Sequence, residues 1–449
     1  MAAAVHDTPG VTQADLQGLA ETAIREAQKL GASQAEAGVS VDAGLSLTVR
    51  LGEVETLEHQ RDRGLGITVY FGTRKGSAST ADFSPDAIRE SVRAACSIAR
   101  YTAEDDCSGL ADAALMAKDI PDLDLDHPWD PDPEVVIDMA RRCEEAARAF
   151  DQRIENSEGG SVTTHRGTRM YANSHGFAGG YPSTSYSLTC SVVGKSGDSM
   201  QRDYWYTVAR DAKDLESPEA VGRKAAERTV ARLGARRIST RKAPVLYVPE
   251  LARGLVGHYL AAMRGGSQYR RSSFLLDREG SRVFPEFVQM SERPRIKGAL
   301  ASAAFDGEGV ATSDKEIVDQ GLASTYLLDS YSARKLKRQT NGHAGGVRNL
   351  IVRPGELDFD GMLKQMGTGL VVTELLGQGV NGVTGDYSRG ASGFWVEGGA
   401  LVHPVEEVTI AGNLKDIFKG IAAIGSDVDA RGGILCGSIL IEEMTIAGE

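Results

Sequence analysis

The stretch Val39-Ser-Val-Asp-Ala-Gly-Leu-Ser-Leu-Thr-Val49 places apolar side chains at positions 39, 41, 45, 47 and 49. That alternation is the period of a β-strand with one buried and one wet face. Such a strand needs a cover, and the sequence upstream supplies one. Leu16, Leu19, Ala23, Ala27 and Leu30 recur at helical spacing. Thr12 and Asp15 form a capping box before them, and Gly31 stops the run. Downstream, Leu65, Ile67, Val69 and Phe71 repeat the strand period before the turn residues Gly72-Thr-Arg-Lys-Gly76.

Three further helices share one starting signature, a capping residue followed by proline and an acid: Ser84-Pro85-Asp86, Asp132-Pro133-Glu134 and Ser217-Pro218-Glu219. Proline suits the first helical position because its missing N–H would be unpaired there, and the acid meets the positive end of the helix dipole. The second of these helices carries the stripe Val136, Met139, Cys143, Ala146 and Phe150. An acidic stretch over 103–132 reads as a solvated loop. Its Asp122-Leu-Asp-Leu-Asp126 run is no EF-hand, because His127 and Pro133 stand where Gly and Glu are needed. Tyr186, Leu188, Cys190 and Val192 alternate as a strand, followed by the aromatic Tyr204-Trp-Tyr206.

Beyond the helix near 219–233, a basic stretch to Lys242 reads as a junction, and the chain then turns glycine-dense with short β-branched runs. The basic runs Arg232–Lys242 and Arg334–Arg338 are expected to be solvated faces or linkers. Helices and strands mix without a βαβ rhythm, which predicts an α+β fold. The expected division is an N-terminal helix/antiparallel-sheet domain over 1–235 and a glycine-rich, mainly antiparallel β domain over 236–449.

The chain has 449 residues and a net charge of −12, with 41% apolar and 25% charged residues. These are the proportions of an ordinary soluble protein long enough to bury a large core. The acidic balance argues against nucleic acid, which needs basic surface. Five scattered cysteines with no CxxC pair suggest neither a disulfide framework nor a cysteine zinc site. Met1–Gly10 has no basic and apolar leader, and the weakly charged stretch 175–194 is too polar to span a membrane. A cytoplasmic location is expected.

The eight histidines offer no HExxH helix: the closest two, His165 and His175, are ten residues apart. Gly377-Gln-Gly-Val-Asn-Gly382 fits GxGxxG, but the following Val383-Thr-Gly-Asp-Tyr-Ser-Arg-Gly390 is no helix start, so a nucleotide site is not expected. The segment Gly385-Asp-Tyr-Ser-Arg-Gly-Ala-Ser-Gly-Phe-Trp-Val-Glu397 has two readings. It is either a groove wall to which an extended peptide adds as a strand, or a tight hairpin with buried aromatics.

These stretches together resemble the TldD/PmbA peptidase family, in its PmbA (TldE) branch. The resemblance rests on Gly52-Glu-Val-Glu55, Leu65-Gly-Ile-Thr-Val69, Asn173-Ser-His-Gly176, Ser332-Ala-Arg-Lys335 and Gly342-His-Ala-Gly-Gly346. It continues through Met366-Gly-Thr-Gly-Leu-Val-Val-Thr-Glu374, Gly385-Asp-Tyr-Ser-Arg-Gly390 and Ile410-Ala-Gly-Asn-Leu-Lys-Asp416.

The resemblance implies a subunit that pairs with a homologous TldD-like chain as a zinc-dependent peptidase acting on unfolded peptides; a homodimer is the alternative assembly. In the TldD branch a His-Glu-x-x-x-His helix and a cysteine hold the metal. The corresponding place here is Arg253-Gly-Leu-Val-Gly-His258, where only His258 matches. Arg253 has no lone pair to offer a metal, and Gly254 removes the carboxylate that would activate water. Cys436 lies in the right C-terminal region. The expectation is therefore that this chain has no catalytic residues and binds no metal, that zinc sits in the TldD-like partner, and that this chain positions substrate. Asp386, Tyr387, Arg389 and His343 are the candidate peptide-groove residues. The alternatives are a stand-alone non-metal peptide hydrolase and a peptide-binding scaffold with no part in proteolysis. Neither nucleic acid nor membrane is an expected partner.

Overall fold

The computed structural model describes residues 11–448; the expectation about a leader at Met1–Gly10 lies outside them. The N-terminal part runs α1 (Gln13–Lys29), β1 (Gln34–Arg50), β2 (Glu53–Phe71), β3 (Arg74–Thr80), α2 (Pro85–Tyr101), α3 (Pro133–Arg148), β4 (Ile154–Asn173), β5 (Ala178–Ser196), β6 (Ser199–Ala209) and α4 (Pro218–Ala231). Its strands form one antiparallel sheet in the order β3-β2-β1-β4-β5-β6. The capping box is present: the Thr12 side chain accepts from the Asp15 N–H while the Thr12 N–H donates to the Asp15 carboxylate at 2.8 Å. The three proline-started helices begin where the signature placed them.

The alternation of β1 sorts its residues between two environments. Val39 and Val41 pack with Leu16, Ile67 and Val92 beneath α1 and α2. Leu45, Leu47 and Val49 pack with Val136, Cys143 and Val221 beneath α3 and α4. The opposite face, with Gly38, Ser40 and Asp42, lines a cleft against the C-terminal part.

The segment between α2 and α3 has no regular structure beyond a short turn at Ala113–Leu115. It is not solvated throughout. Leu123 and Leu125 are buried with Ala304, and Met116 bridges Val310, so the loop is an apolar wedge between the two halves.

The C-terminal part runs β7 (Arg241–Tyr247), α5 (Pro249–Met263), α6 (Gly265–Tyr269), β8 (Met290–Glu292), β9 (Lys315–Asp319), β10 (Leu322–Ala323), α7 (Ser330–Lys335), β11 (Leu350–Val352), α8 (Phe359–Met366), β12 (Gly369–Leu376), β13 (Asp386–Glu397), β14 (Ala400–Asn413), α9 (Leu414–Lys419), β15 (Ile421–Ile424), β16 (Ile434–Leu435) and β17 (Ile439–Ala447). One sheet has the order β14-β13-β12-β7-β17-β15, and a further β14–β17 pairing closes five of these strands into a ring. Only β7–β12 is parallel within it. A smaller sheet, β10-β9-β8-β11-β16, stands beside it. The whole is a mixed α+β fold with a β-rich C-terminal part, as expected from the sequence.

Within the run Arg334–Arg338, Lys335, Lys337 and Arg338 are exposed, as expected of a solvated face, and Arg334 is the exception. Arg334 donates to the carbonyls of Cys107, Gly109 and Leu110, and Lys335 lies 2.9 Å from the Asp105 carboxylate. Arg334 caps three carbonyls and Lys335 pairs with a carboxylate across the junction, which holds α7 to the N-terminal half.

Candidate functional site

The site is built around α5, which begins at the end of β7 with Pro249 in the first turn. Ala252, Leu255, Val256 and Tyr259 anchor the helix in the core. Arg253 emerges toward β6, where one guanidinium nitrogen donates to the Tyr206 hydroxyl at 3.1 Å and another lies 3.7 Å from the Asp429 carboxylate. Arg431 also engages Asp429, at 2.9 Å. Burial alone would raise the Asp429 carboxyl, but Arg431 and Arg253 hold it below its ordinary range.

Arg228 from α4 and Arg232 at its C-terminal cap each lie 3.3 Å from Asp203, and they reach on to Glu250 and Glu374 respectively. Four arginines thus share four carboxylates where the family resemblance would place a metal. The sequence reading missed Asp203, Glu250, Asp429 and Arg431. The one local signal was the aromatic run 204–206, whose Tyr206 receives Arg253.

His258, further along α5, packs edge-to-face on Tyr387 with ring centres 6.1 Å apart. Burial first, and the Arg389 cation second, lower its pKa. Burial likewise raises the phenol of Tyr387. Gly254 leaves space, since a Cβ built there meets nothing within 4 Å. The position lacks only the side chain. Cys436 is fully buried with Sγ 3.2 Å from the Gly437 carbonyl. Burial, followed by Asp427 and Asp429, pushes its thiol up to about 12.

Zinc requires several lone pairs, with any cysteine as thiolate. Here one imidazole, one protonated thiol and a paired guanidinium stand at the motif positions. Among the described residues no three of His, Cys, Asp and Glu are grouped to share a metal. The residues present do not fit a zinc ion.

The four groove candidates do not form one wall. Tyr387 and Arg389 both interact with the His258 region, whereas Asp386 is exposed and paired with Thr384 and Asn413. His343 is buried beside β8: its Nε2 lies 2.8 Å from Glu292 and its Nδ1 2.8 Å from the Asn341 side-chain oxygen. The Asn341 amide donates to the Tyr326 carbonyl at 2.8 Å, which fixes its orientation. Both ring nitrogens of His343 are therefore occupied.

The strand-addition reading of 385–397 meets a direct obstacle. β13 is paired with β14 on one edge and β12 on the other, so its backbone has no open ladder to offer. The GxGxxG stretch forms the connection between β12 and β13 and opens no helix.

A long-stranded antiparallel sheet joined to a β-rich C-terminal half is an architecture this chain shares with known proteins. Models of the PmbA/TldA metallopeptidase domain 1, central domain and C-terminal domain match residues 35–99, 126–233 and 240–448. Over 432 residues the chain is 50% identical to the metalloprotease PmbA of Escherichia coli O157:H7, covering 96% of each. It is 49% identical over 427 residues to the Haemophilus influenzae PmbA homologue, covering 95% of this chain and 94% of that one. A crystal structure from Bacteroides thetaiotaomicron, described as a candidate modulator of DNA gyrase, superposes with a TM-score of 0.93 at 27% identity, covering 98% of this chain and all of that one. TldE from Thermococcus kodakarensis shares the fold with a TM-score of 0.83 at 18% identity, over 96% of this chain and 100% of that one. The chain belongs to the PmbA/TldD metallopeptidase family, in its PmbA branch.

Proposed function

We propose that this chain is the non-catalytic half of a cytoplasmic heteromeric zinc metalloprotease. It binds a TldD-like homologous subunit and positions unstructured peptide beside the zinc which that subunit carries. The observation that carries this reading is Arg253, a permanent cation held by Asp429 and Tyr206 at the position of the first metal imidazole. A chain without catalytic groups still raises the rate if it holds substrate in reactive geometry and shields the chamber from water. In this reading Arg389 lies beside His258 at the chamber while Tyr387, buried in the core, backs the histidine, and the working division of the chain is 1–235 and 236–449.

The test is cleavage of an unfolded peptide. The isolated chain is expected to be inactive and to retain no stoichiometric zinc after dialysis. Adding the TldD-like subunit is expected to give chelator-sensitive cleavage faster than that subunit alone. Zinc held one per chain through His258, or partner turnover unchanged by this chain, would overturn the reading.

A further inference from the structure

Arg228, Arg232, Arg253 and Arg431 each have a carboxylate as partner. Arg389 of β13, which lies beside His258 further along α5, has none: it forms no ion pair among the described residues. Two acids on this strand and its neighbour are turned elsewhere. Asp386 lies on the opposite face of β13, because side chains alternate along a strand, and is held by Thr384 and Asn413. Glu374 of β12 is taken by Arg232.

The groups that do face Arg389 are the phenols of Tyr387 and Tyr247 and the imidazole of His258. Burial raises both phenols, and burial with the Arg389 cation lowers the imidazole, so all three are neutral near neutrality. A guanidinium keeps its charge throughout that range. The protein thus supplies no counter-charge at this point.

Hydrogen bonding is an independent observation. Nε of Arg389 is buried and finds no acceptor, which a folded chain rarely leaves without cause. The residue as a whole is half-buried, so its terminal nitrogens remain reachable. Space lies beside them: Gly254, one turn before His258 on the same face of α5, is exposed, and a Cβ built on it or on Gly257 meets nothing within 4 Å.

One cation among neutral groups calls for one anionic group, not a row of them. A guanidinium presents parallel N–H groups that match the two oxygens of a carboxylate. The bare helix surface at Gly254 and Gly257 leaves room for the uncharged chain attached to it.

We propose that Arg389 is the anchor for a single carboxylate of a bound peptide, terminal or side-chain, whose main chain continues over Gly254 along α5. That the ligand is a peptide rests on the subunit reading above; that Arg389 takes an anion rests on its own surroundings.

The experiment uses the full chain without a partner. Three rhodamine-labelled unstructured Gly/Ser peptides are titrated by anisotropy at low salt: one with a free C-terminal carboxylate, one with a C-terminal amide, and one with the amide and a single internal Glu. At least one carboxylate peptide is expected to bind about tenfold tighter than the plain amide, and which one does so names the source of the carboxylate. Arg389→Gln is expected to keep the wild-type circular dichroism spectrum and to bind all three alike, while Arg389→Lys recovers part of the preference, since an ammonium cannot pair in two places. Arg93→Gln, which removes an exposed cation of α2, is expected to leave the preference unchanged. Wild-type chain that binds the three peptides alike or not at all, or a tenfold preference that survives in Arg389→Gln, overturns the proposal. Arg389-dependent binding with partner turnover unchanged would support the anchor and remove the subunit reading.

Discussion

The guanidinium of Arg431 lies 3.9 Å from the centre of the Trp205 ring and 2.9 Å from the Asp429 carboxylate. One side chain thus joins a loop of the C-terminal half to β6 of the N-terminal half, and Tyr206 beside it, with its ring centre 4.4 Å away, receives both Arg431 and Arg253. Arg253 and Arg431 thus belong to the contacts that join the two halves.

Arg431→Ala is therefore expected to cost about 2–4 kcal/mol, combining a lost cation–π contact with an almost fully buried Asp429 left short of a partner. Arg431→Lys should recover only part of this, because an ammonium neither stacks flat on the indole nor pairs in two places. Urea unfolding followed by tryptophan fluorescence measures both. Equal stability of the alanine variant and the wild type would show that the contact is incidental.

Much of the fold could be read from local pattern. The alternation at Val39–Val49 survives because one face of β1 is covered by helices along its length, and Pro85, Pro133 and Pro218 open helices for backbone reasons that hold in any context. What escaped was long-range. β7 pairs with β17 across about two hundred residues, Arg241 opposite Ile446, and no periodicity announces that partner. The arginine hub draws on β6, α4, α5, β12 and the 429–431 loop, so its members look unrelated in sequence. His343 stood out as a glycine-flanked histidine, but only the fold reveals that Glu292 and Asn341 enclose it. The substitutions at Arg253 and Gly254 were legible because they interrupt a local motif.

Glu308 gives a pH signature with a definite sign. Burial is the main cause lifting its carboxyl from 4.5 to about 7; Asp306 and Asp329 add to this, while hydrogen bonds from Ser330 oppose it. The folded chain thus binds this proton more tightly than the unfolded chain. As pH rises from 4.5 to 7 the unfolded state ionises first, and stability falls. The loss is complete above the folded value and is about 3 kcal/mol at most. Glu308→Gln is expected to be more stable than wild type by about 1–3 kcal/mol on the alkaline side of that window and no more stable on its acid side. Denaturant midpoints across the window decide it; parallel curves for the two proteins would contradict the assignment.

The cysteines should label in a fixed order. Cys107 is partly exposed, whereas Cys96, Cys143, Cys190 and Cys436 are buried. With its thiol pushed up to about 12, Cys436 is neither accessible nor ionised near neutrality, while an exposed thiol at about pH 8 is partly thiolate. Iodoacetamide on the native chain is expected to modify Cys107 alone, with Cys436 reacting only in denaturant and zinc affording no protection. Peptide mass mapping reads the order. Rapid native labelling of Cys436, blocked by zinc, would reveal a metal-competent thiolate and contradict the geometry.

Two glycines in helices should answer the same substitution with opposite signs. Gly18 lies exposed on α1, and a Cβ built there meets nothing within 4 Å. Gly18→Ala removes backbone freedom from the unfolded chain and should stabilise by about 0.5–1 kcal/mol. Gly222 lies where α4 crosses α3, and its Cβ would fall 2.0 Å from the Cys143 carbonyl oxygen. Backbone cannot rotate aside as a side chain can, so the helices must separate, and Gly222→Ala should lose about 1–3 kcal/mol despite its better helix propensity. Thermal unfolding of the two variants against wild type compares them directly. A stabilised Gly222→Ala would mean that α3 and α4 do not press as closely as the structure places them, and the packing over Leu47, Val162 and Leu188 would need to be redrawn.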